Sequence, residues 1–311
     1  MVDGTTVTVT TLNAGDKLTG GAGADRLIVA AQGAVGSISG VSTDGIETIQ
    51  IQSVQTGTGT TLFDALLTAG LTDVAVTGSS TAVSVTNLQT IPNLAVSSNN
   101  ANVTVGFRSA ATVAGESDAM KIALNGNNTA SASTITANGI ETVNITSSGA
   151  ASGATARPVT IASSTLKNVV VDGSAGMTGS VTLSGATIPG KAGVVDLSAS
   201  TASSLTMTVT AGSNGQTSIM GSAGADSLII TPGATGELTV TGGAGNDTVR
   251  IAGSSFSTKT SIDGGDGTNT LNLLDAVASA AVAAGVKGFQ TVGAYSAATA
   301  TGRNPIAAGE G

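Results

Sequence analysis

Apolar and polar residues alternate in short runs along most of this chain. Between Leu71 and Ala211 the runs DVAVTG, AVSVTN, NVTVGF, TVNITS, NVVVDG, SVTLSG and LTMTVTAG set Val, Ile, Leu, Met or Ala against polar neighbours. A period of two sends successive side chains to opposite faces, so each run predicts a half-buried β-strand. Gly, Asn, Asp and Ser break the runs every 8–20 residues or so, a spacing that predicts a solenoid or a sandwich. Two segments depart from the alternation. TLFDALLTAGL (61–71) places Leu62, Leu66 and Leu67 at i, i+4 and i+5. DAVASAAVAAGV (275–286) opens on Asp275 and closes at Gly285. Both predict short helices that cap or bridge the strand region. The tail, 296–311, predicts a flexible end.

A second pattern lies over the first. GGAGADRLI (Gly20–Ile28), GSAGADSLI (Gly221–Ile229), GGAGNDTVR (Gly242–Arg250) and GGDGTNTLN (Gly264–Asn272) all approximate G-G-x-G-x-D-x-U-x, with U a large apolar residue. Such a nonapeptide is the repeat of calcium-binding parallel β-solenoids. A degenerate copy precedes the first, with Asp16 nine residues before Asp25 and Leu18 nine before Leu27. Asp226 to Asp247 is 21 residues and Asp247 to Asn269 is 22. The spacing predicts one loop per coil, with SLIIT, ELTVT, TVRIA and KTSID as strands between and the loops stacked along one edge. The U residues Leu27, Leu228, Val249 and Leu271 are expected to fill a thin core.

The chemistry expected of such loops follows from their residues. Glycine lets the backbone take positive φ and turn its carbonyls inward. Calcium takes six to eight oxygens at about 2.3–2.6 Å. One loop cannot supply them, but an Asp carboxylate and the carbonyls of two stacked loops can. The candidate ligands are Asp16; Gly20, Gly21, Ala22, Gly23 and Asp25; Gly221, Ala223, Ala225 and Asp226; Gly242, Ala244, Asn246 and Asp247; and Asp263, Gly264, Asp266 and Asn269. The last loop departs from the pattern, because Asn269 replaces the carboxylate; Asp263 and Asp266 are the candidates to compensate. Loops of like charge repel without metal, so folding and calcium binding are expected to be coupled. A glycine-rich linker would explain one copy but not copies in register between matched strands. A phosphate-binding loop would need a helix after the glycines, where this chain places a strand.

Another phrase recurs: DGIETIQI (Asp44–Ile51), NGIETVNI (Asn138–Ile145) and the weaker KGFQTVGA (Lys287–Ala294). Each reads as the entry to a buried strand. Glu47 and Glu141 read as outward-facing strand residues rather than a catalytic carboxylate pair.

Composition narrows the function classes. Among 311 residues there are 44 Gly, no His, no Cys and no Trp, one Tyr and four Phe. Disulfides, thiolate chemistry, Ser-His-Asp triads and ordinary zinc sites are excluded. The net charge of −8, with only 11 scattered cations, argues against nucleic acid and suits a hard cation. No apolar run is long enough to predict a membrane-spanning helix. The N-terminus lacks the basic and apolar regions of a cleaved secretion signal. The expected fold is all-β, a parallel β-solenoid or β-roll with calcium-binding glycine loops and one or two short helices. The expected segments are 1–60 (first nonapeptide), 61–211 (Thr/Ser-rich solenoid), 212–295 (nonapeptide β-roll) and the tail.

The order of nonapeptides, GIET strand, Thr/Ser-rich β region, nonapeptides and GFQT strand resembles RTX-type surface-layer proteins of Gram-negative bacteria, in their lattice-forming region. The resemblance implies a secreted, cell-surface coat exported by type I secretion. It implies several Ca2+ ions and self-assembly into a homo-oligomeric, hexameric lattice. No helical domain of the kind that anchors such coats to lipopolysaccharide is visible, nor an obvious C-terminal secretion signal. Any lipopolysaccharide contact would then use a domain outside these residues. The chain is not expected to be an enzyme. The alternative is a calcium-rigidified module of a secreted RTX adhesin, against which the scarcity of sugar-stacking aromatics counts. Thr-x-Thr strings such as Thr206–Thr210 raise ice binding, but in sequence their ranks are irregular.

Overall fold

In the computed structural model the described residues are 7–9, 12–32, 37–54, 59–98, 101–109, 113–125, 133–149, 157–185, 192–212, 216–233, 237–275 and 285–294. The chain divides into two compact units, Met1–Ser163 and Ser164–Gly311. Each is a parallel β-solenoid.

In the first unit, one sheet runs in the order Val7–Val9, Arg26–Gln32, Thr48–Val54, Asp73–Thr77, Asn93–Ser97, Ala119–Asn125 and Thr142–Ser148. The other runs Ser37–Ile38, Thr61–Asp64, Val83–Leu88, Val103–Phe107, Ser133–Ala137 and Arg157–Ala162. A short third side pairs Lys17–Thr19 with Ser42–Asp44. In the second unit, one sheet is Asn168–Gly173, Ala192–Asp196, Gln216–Met220, Leu238–Thr241, Thr260–Asp263 and Val286–Lys287. Its partner is Met177–Thr182, Thr206–Thr210, Ser227–Thr231, Thr248–Ile251, Thr270–Leu273 and Thr291–Ala294. Within each unit the chain alternates between the two sheets and returns one coil further on, so neighbouring strands pair in parallel.

The period-two pattern produces this directly. Arg26–Gln32 alternates exposed or half-buried with buried positions, and so do the strands beside it. The inward residues stack coil on coil as aliphatic ladders. Leu27 pairs with Ile49, then Val74, Leu94, Ile122 and Ile145, and all six are buried. Met207, Leu228, Val249 and Leu271 form the corresponding ladder of the second unit, each fully buried. Each such side chain contributes about 1.5–3 kcal/mol by leaving water. Aliphatic side chains stacked on their like from coil to coil fill the space between the sheets, which explains how a chain nearly free of aromatics builds a core.

The helix expected over 61–71 does not form. Thr61–Asp64 is a strand, with Phe63 fully buried. It pairs with Ser37–Ile38 on one side and Val83–Thr86 on the other. Asp64 then accepts the Leu66 N–H, and the Thr68 hydroxyl donates to the Ala65 carbonyl, closing a tight turn. Leu66 and Leu67, which the helical spacing places on one face, stand exposed on that turn. Ladder pairing on both edges outweighs a weak helical propensity. Of the second expected helix, residues 276–284 lie outside the described set; Asp275 accepts from the Ser254 N–H and hydroxyl, and Val286–Lys287 is strand. The tail also lies outside it. The only helical turn among the described residues is the 3-10 segment Gly253–Ser255.

Candidate metal centre

The three C-terminal loops stack as their spacing predicts. Ser227 is in register with Thr248, and Thr248 with Thr270. The first glycine of each loop sits at a corner with no room for a side chain. A Cβ on Gly221 would lie 1.7 Å from the Gly242 carbonyl oxygen; on Gly242, 2.2 Å from that of Gly264; on Gly264, 2.1 Å from that of Gly288. Gly20 meets the Gly45 carbonyl at 1.8 Å in the same way. The glycine column therefore runs through both recurring phrases: Gly45 and Gly288 come from GIET and GFQT. The next two glycines, Gly243 and Gly245, have φ of 105° and 107°. Gly21 and Gly23, and Gly265 and Gly267, share that left-handed conformation. The Gly221 loop differs, since Ser222 replaces the second glycine and has no positive φ.

A second column stands just before the strands. At six places the residue there offers a side-chain oxygen to the N–H of the equivalent residue one coil earlier. Leu205 N–H donates to Asp226 Oδ1 (3.1 Å), Asp226 N–H to Asp247 Oδ1 (2.8 Å), Asp247 N–H to Asn269 Oδ1 (2.8 Å) and Asn269 N–H to Gln290 Oε1 (2.6 Å). In the first unit Asp25 N–H donates to Glu47 Oε2 (2.8 Å) and Asp118 N–H to Glu141 Oε2 (3.0 Å). Glu47 and Glu141 are thus not outward-facing strand residues. They turn into the corner, and Glu141 is 2% exposed.

The two phrases are versions of one corner. Four residues separate Gly20 from Asp25 and Gly264 from Asn269; one separates Gly45 from Glu47, Gly139 from Glu141 and Gly288 from Gln290. Removing three loop residues pulls the backbone back from the corner, and one additional methylene carries the acceptor to the same N–H. The residues between glycine and acceptor, Ile46 and Ile140, are buried. The signal in the sequence is the Thr that follows the acceptor: Thr48 pairs with Arg26, as Thr291 pairs with Thr270.

The three rungs of the second unit satisfy their oxygens differently. Asp226 Oδ2 accepts the Ser222 N–H (2.6 Å), and Oδ1 also takes the Ser222 hydroxyl (3.0 Å). Asn269 donates through Nδ2 to the carbonyls of Gly265 and Gly288, both at 3.1 Å. Asp247 has neither device. It is 1% exposed, and its Oδ2 has no hydrogen-bond partner. Asp25, 7% exposed, likewise has a bare buried Oδ2, and Oδ2 of Asp118 is a third such oxygen. Burial raises the carboxyl of Asp247 to about 6, with the Asp226 N–H opposing the rise and the charge of Asp226 adding to it. Burial also raises Asp226, against the lowering effect of the Ser222 and Leu205 donors. A buried carboxylate without a counter-charge demands a proton or a cation.

The remaining sequence candidates divide. Asp16 does not stack on Asp25; its carboxylate accepts the Asn13 N–H, and its carbonyl accepts from Ser42. The rung beside Asp25 is Glu47 instead. Asp263 accepts the Gly265 N–H and pairs with Lys287 Nζ at 3.1 Å, and these partners, the N–H first, hold its carboxyl below the usual range. It is therefore engaged rather than free to compensate for Asn269. Asp266 is exposed, its backbone N–H bound to the Gly243 carbonyl. Asn246 ties two loops together by accepting the Thr268 N–H. Ala22, Ala223 and Ala225 are exposed and Ala244 half-buried; Ala225 and Ala244 donate their N–H groups to the coil before, to Ser203 and Ser222. Among the described residues no three carboxylates come together. An ion here would rest on one carboxylate and backbone carbonyls. The residues fit that at Asp247 and Asp25 and do not at Asn269.

Elsewhere, a groove of about 580 Å³ in the first unit is lined by residues such as Thr68, Leu71, Gln89, Thr90 and Ile91 and contains no titratable side chain. No helix of the described residues is long and apolar enough to cross a membrane. The fold and its two corner columns define the class, a parallel β-solenoid with glycine-cornered coils. No known protein family, curated protein or solved structure matches the chain.

Proposed function

We propose that this is a structural protein whose corners close on calcium and which assembles with copies of itself into a two-dimensional layer at a bacterial cell surface. The observation that carries the calcium reading is the bare, buried Oδ2 of Asp247, repeated at Asp25. Asp247 would hold the ion with carbonyls of the Gly242 and Gly264 loops, and Asp25 with those of its own loop and of Gly45. When bound, calcium supplies the positive charge that these oxygens lack. The layer reading draws on the order of motifs that resembles RTX surface-layer proteins, and on strands whose outward residues are mostly small or polar. Secretion, and contact with lipopolysaccharide through a separate domain, belong to the same reading.

Circular dichroism and hydrogen exchange of the full chain in EGTA and then in calcium test the first part. Slower exchange at Thr248–Ile251 with calcium is the expected result; identical exchange in both removes the calcium reading. Electron microscopy of the purified protein with calcium tests the second. Ordered sheets are expected. Dispersed monomers under all calcium concentrations would leave the calcium-stiffened adhesin module in place of the layer.

A further inference from the structure

We propose that Asn269 is a built-in substitute for the calcium ion, so that its rung of the second unit closes without metal and the metal requirement begins one coil earlier, at Asp247. The inference rests on the calcium reading above and specifies which rungs obey it.

Equivalent atoms of the two rungs can be matched one by one. Asn269 Oδ1 makes the same ladder bond to the preceding coil that Asp247 Oδ1 makes: each accepts an N–H at 2.8 Å. The side-chain heads of the two rungs differ only in their second atom. At Asn269 it is an NH2 whose two hydrogens reach two carbonyls, Gly265 of its own loop and Gly288 of the next corner. By register the counterparts of those carbonyls at the Asp247 rung are Gly243 and Gly264. A Cβ on Gly242 would lie 2.2 Å from the Gly264 oxygen and 2.6 Å from Asp247 Oδ2, so those two oxygens converge on one point. The matching point at Gly264 is 2.1 Å from the Gly288 oxygen and 2.9 Å from Asn269 Nδ2. One rung therefore sets a donor against the carbonyls, and the other sets an anion against them. Both fit the same space, because amide and carboxylate are isosteric. The residue above Asn269 is also an amide, Gln290, so the two last rungs are neutral. The Asp226 rung reaches closure by a third route, through the Ser222 N–H and hydroxyl. Among the described residues of this column, that leaves Asp247 for the ion, between a rung closed by amide hydrogens and a rung closed by serine.

Reciprocal substitutions in the full chain test this, with calcium as the probe. Bound calcium is counted by equilibrium dialysis, and hydrogen exchange is followed over 216–294 in EGTA and in calcium. Asp247→Asn is expected to bind one calcium fewer than the parent and to protect Thr248–Ile251 in EGTA as well as the parent does in calcium. Asn269→Asp is expected to bind one more, to exchange roughly tenfold faster at Thr270–Leu273 in EGTA, and to recover with calcium. An Asn269→Asp chain that takes up no additional calcium, or an Asp247→Asn chain that still needs calcium for protection, overturns the inference. Should Asn269→Asp fail to fold, Asp247→Asn still decides, because its expected change is toward stability. A parent chain that binds no calcium sinks the underlying reading instead, and is distinguished by the parent measurement alone.

Discussion

At the residue scale, the behaviour of the corners depends on single oxygens. Asp247 titrates in the folded, metal-free protein near 6, above its ordinary value of 3.8. Its folded-state pKa is raised, so its contribution to stability is fully present below about pH 4 and is lost as pH rises through 6. The metal-free protein should therefore be more stable at pH 4.5 than at pH 7 by about 2 kcal/mol from this group. Urea melts in EGTA at the two pH values measure it; Asp247→Asn should remove this share of the difference and leave the share that comes from Asp226, whose carboxyl burial also raises. Ser222 offers a second check. Ser222→Gly restores the commoner loop sequence but removes the hydroxyl held by Asp226. The variant is expected to be less stable than the parent by about 1 kcal/mol in EGTA, with the gap narrowing in calcium; equal loss in both buffers would mean that Ser222 serves only its own loop.

At the element scale, the strands are legible in the sequence and the corners only half so. Alternation identifies the buried faces because each coil presents the same aliphatic ladder, and the U positions Leu27, Leu228, Val249 and Leu271 are buried as expected. The 21- and 22-residue spacing sets which loops stack. Glu47 and Glu141 escape the pattern because period two assigns every other residue to solvent, whereas these stand in a turn just before the strand begins. Segment 61–71 misleads because three leucines at helical spacing say nothing about the strands waiting on either side of Phe63. The acceptor column is testable through side-chain length. Glu47→Gln keeps both the reach and the oxygen and should be nearly neutral. Glu47→Asp is too short to meet the Asp25 N–H and should cost about 1–3 kcal/mol in urea unfolding. Equal midpoints for the two variants would show that the bond to Asp25 is incidental.

At the scale of the whole molecule, stability is a sum over neighbouring coils. Nearly all pairing is between one coil and the next, so a lesion should be felt nearby and fade with distance. Gly242→Ala would drive its methyl into the Gly264 carbonyl and the Asp247 carboxylate. Exchange should accelerate at least roughly tenfold in the adjoining strands, Ser227–Thr231 and Thr248–Ile251, and stay unchanged at Arg26–Gln32. Uniform acceleration along the chain would show instead that the coils unfold as one cooperative body. The sequence could not foretell which corners leave a buried carboxylate oxygen bare, because that depends on whether a hydroxyl or a backbone N–H happens to reach it.

The equivalence of the long and short corners also bears on how such a chain can change its length. A deletion of three residues in a loop is ordinarily ruinous in a protein whose strands must keep register. Here the ladder survives it if the acceptor grows by one carbon, from Asp to Glu or from Asn to Gln. Insertions and excisions at the corners thus have a one-codon remedy, and coils of either kind can be spliced beside each other without resetting the rest. The lineage of such a protein can be expected to drift in loop length while its pitch stays fixed.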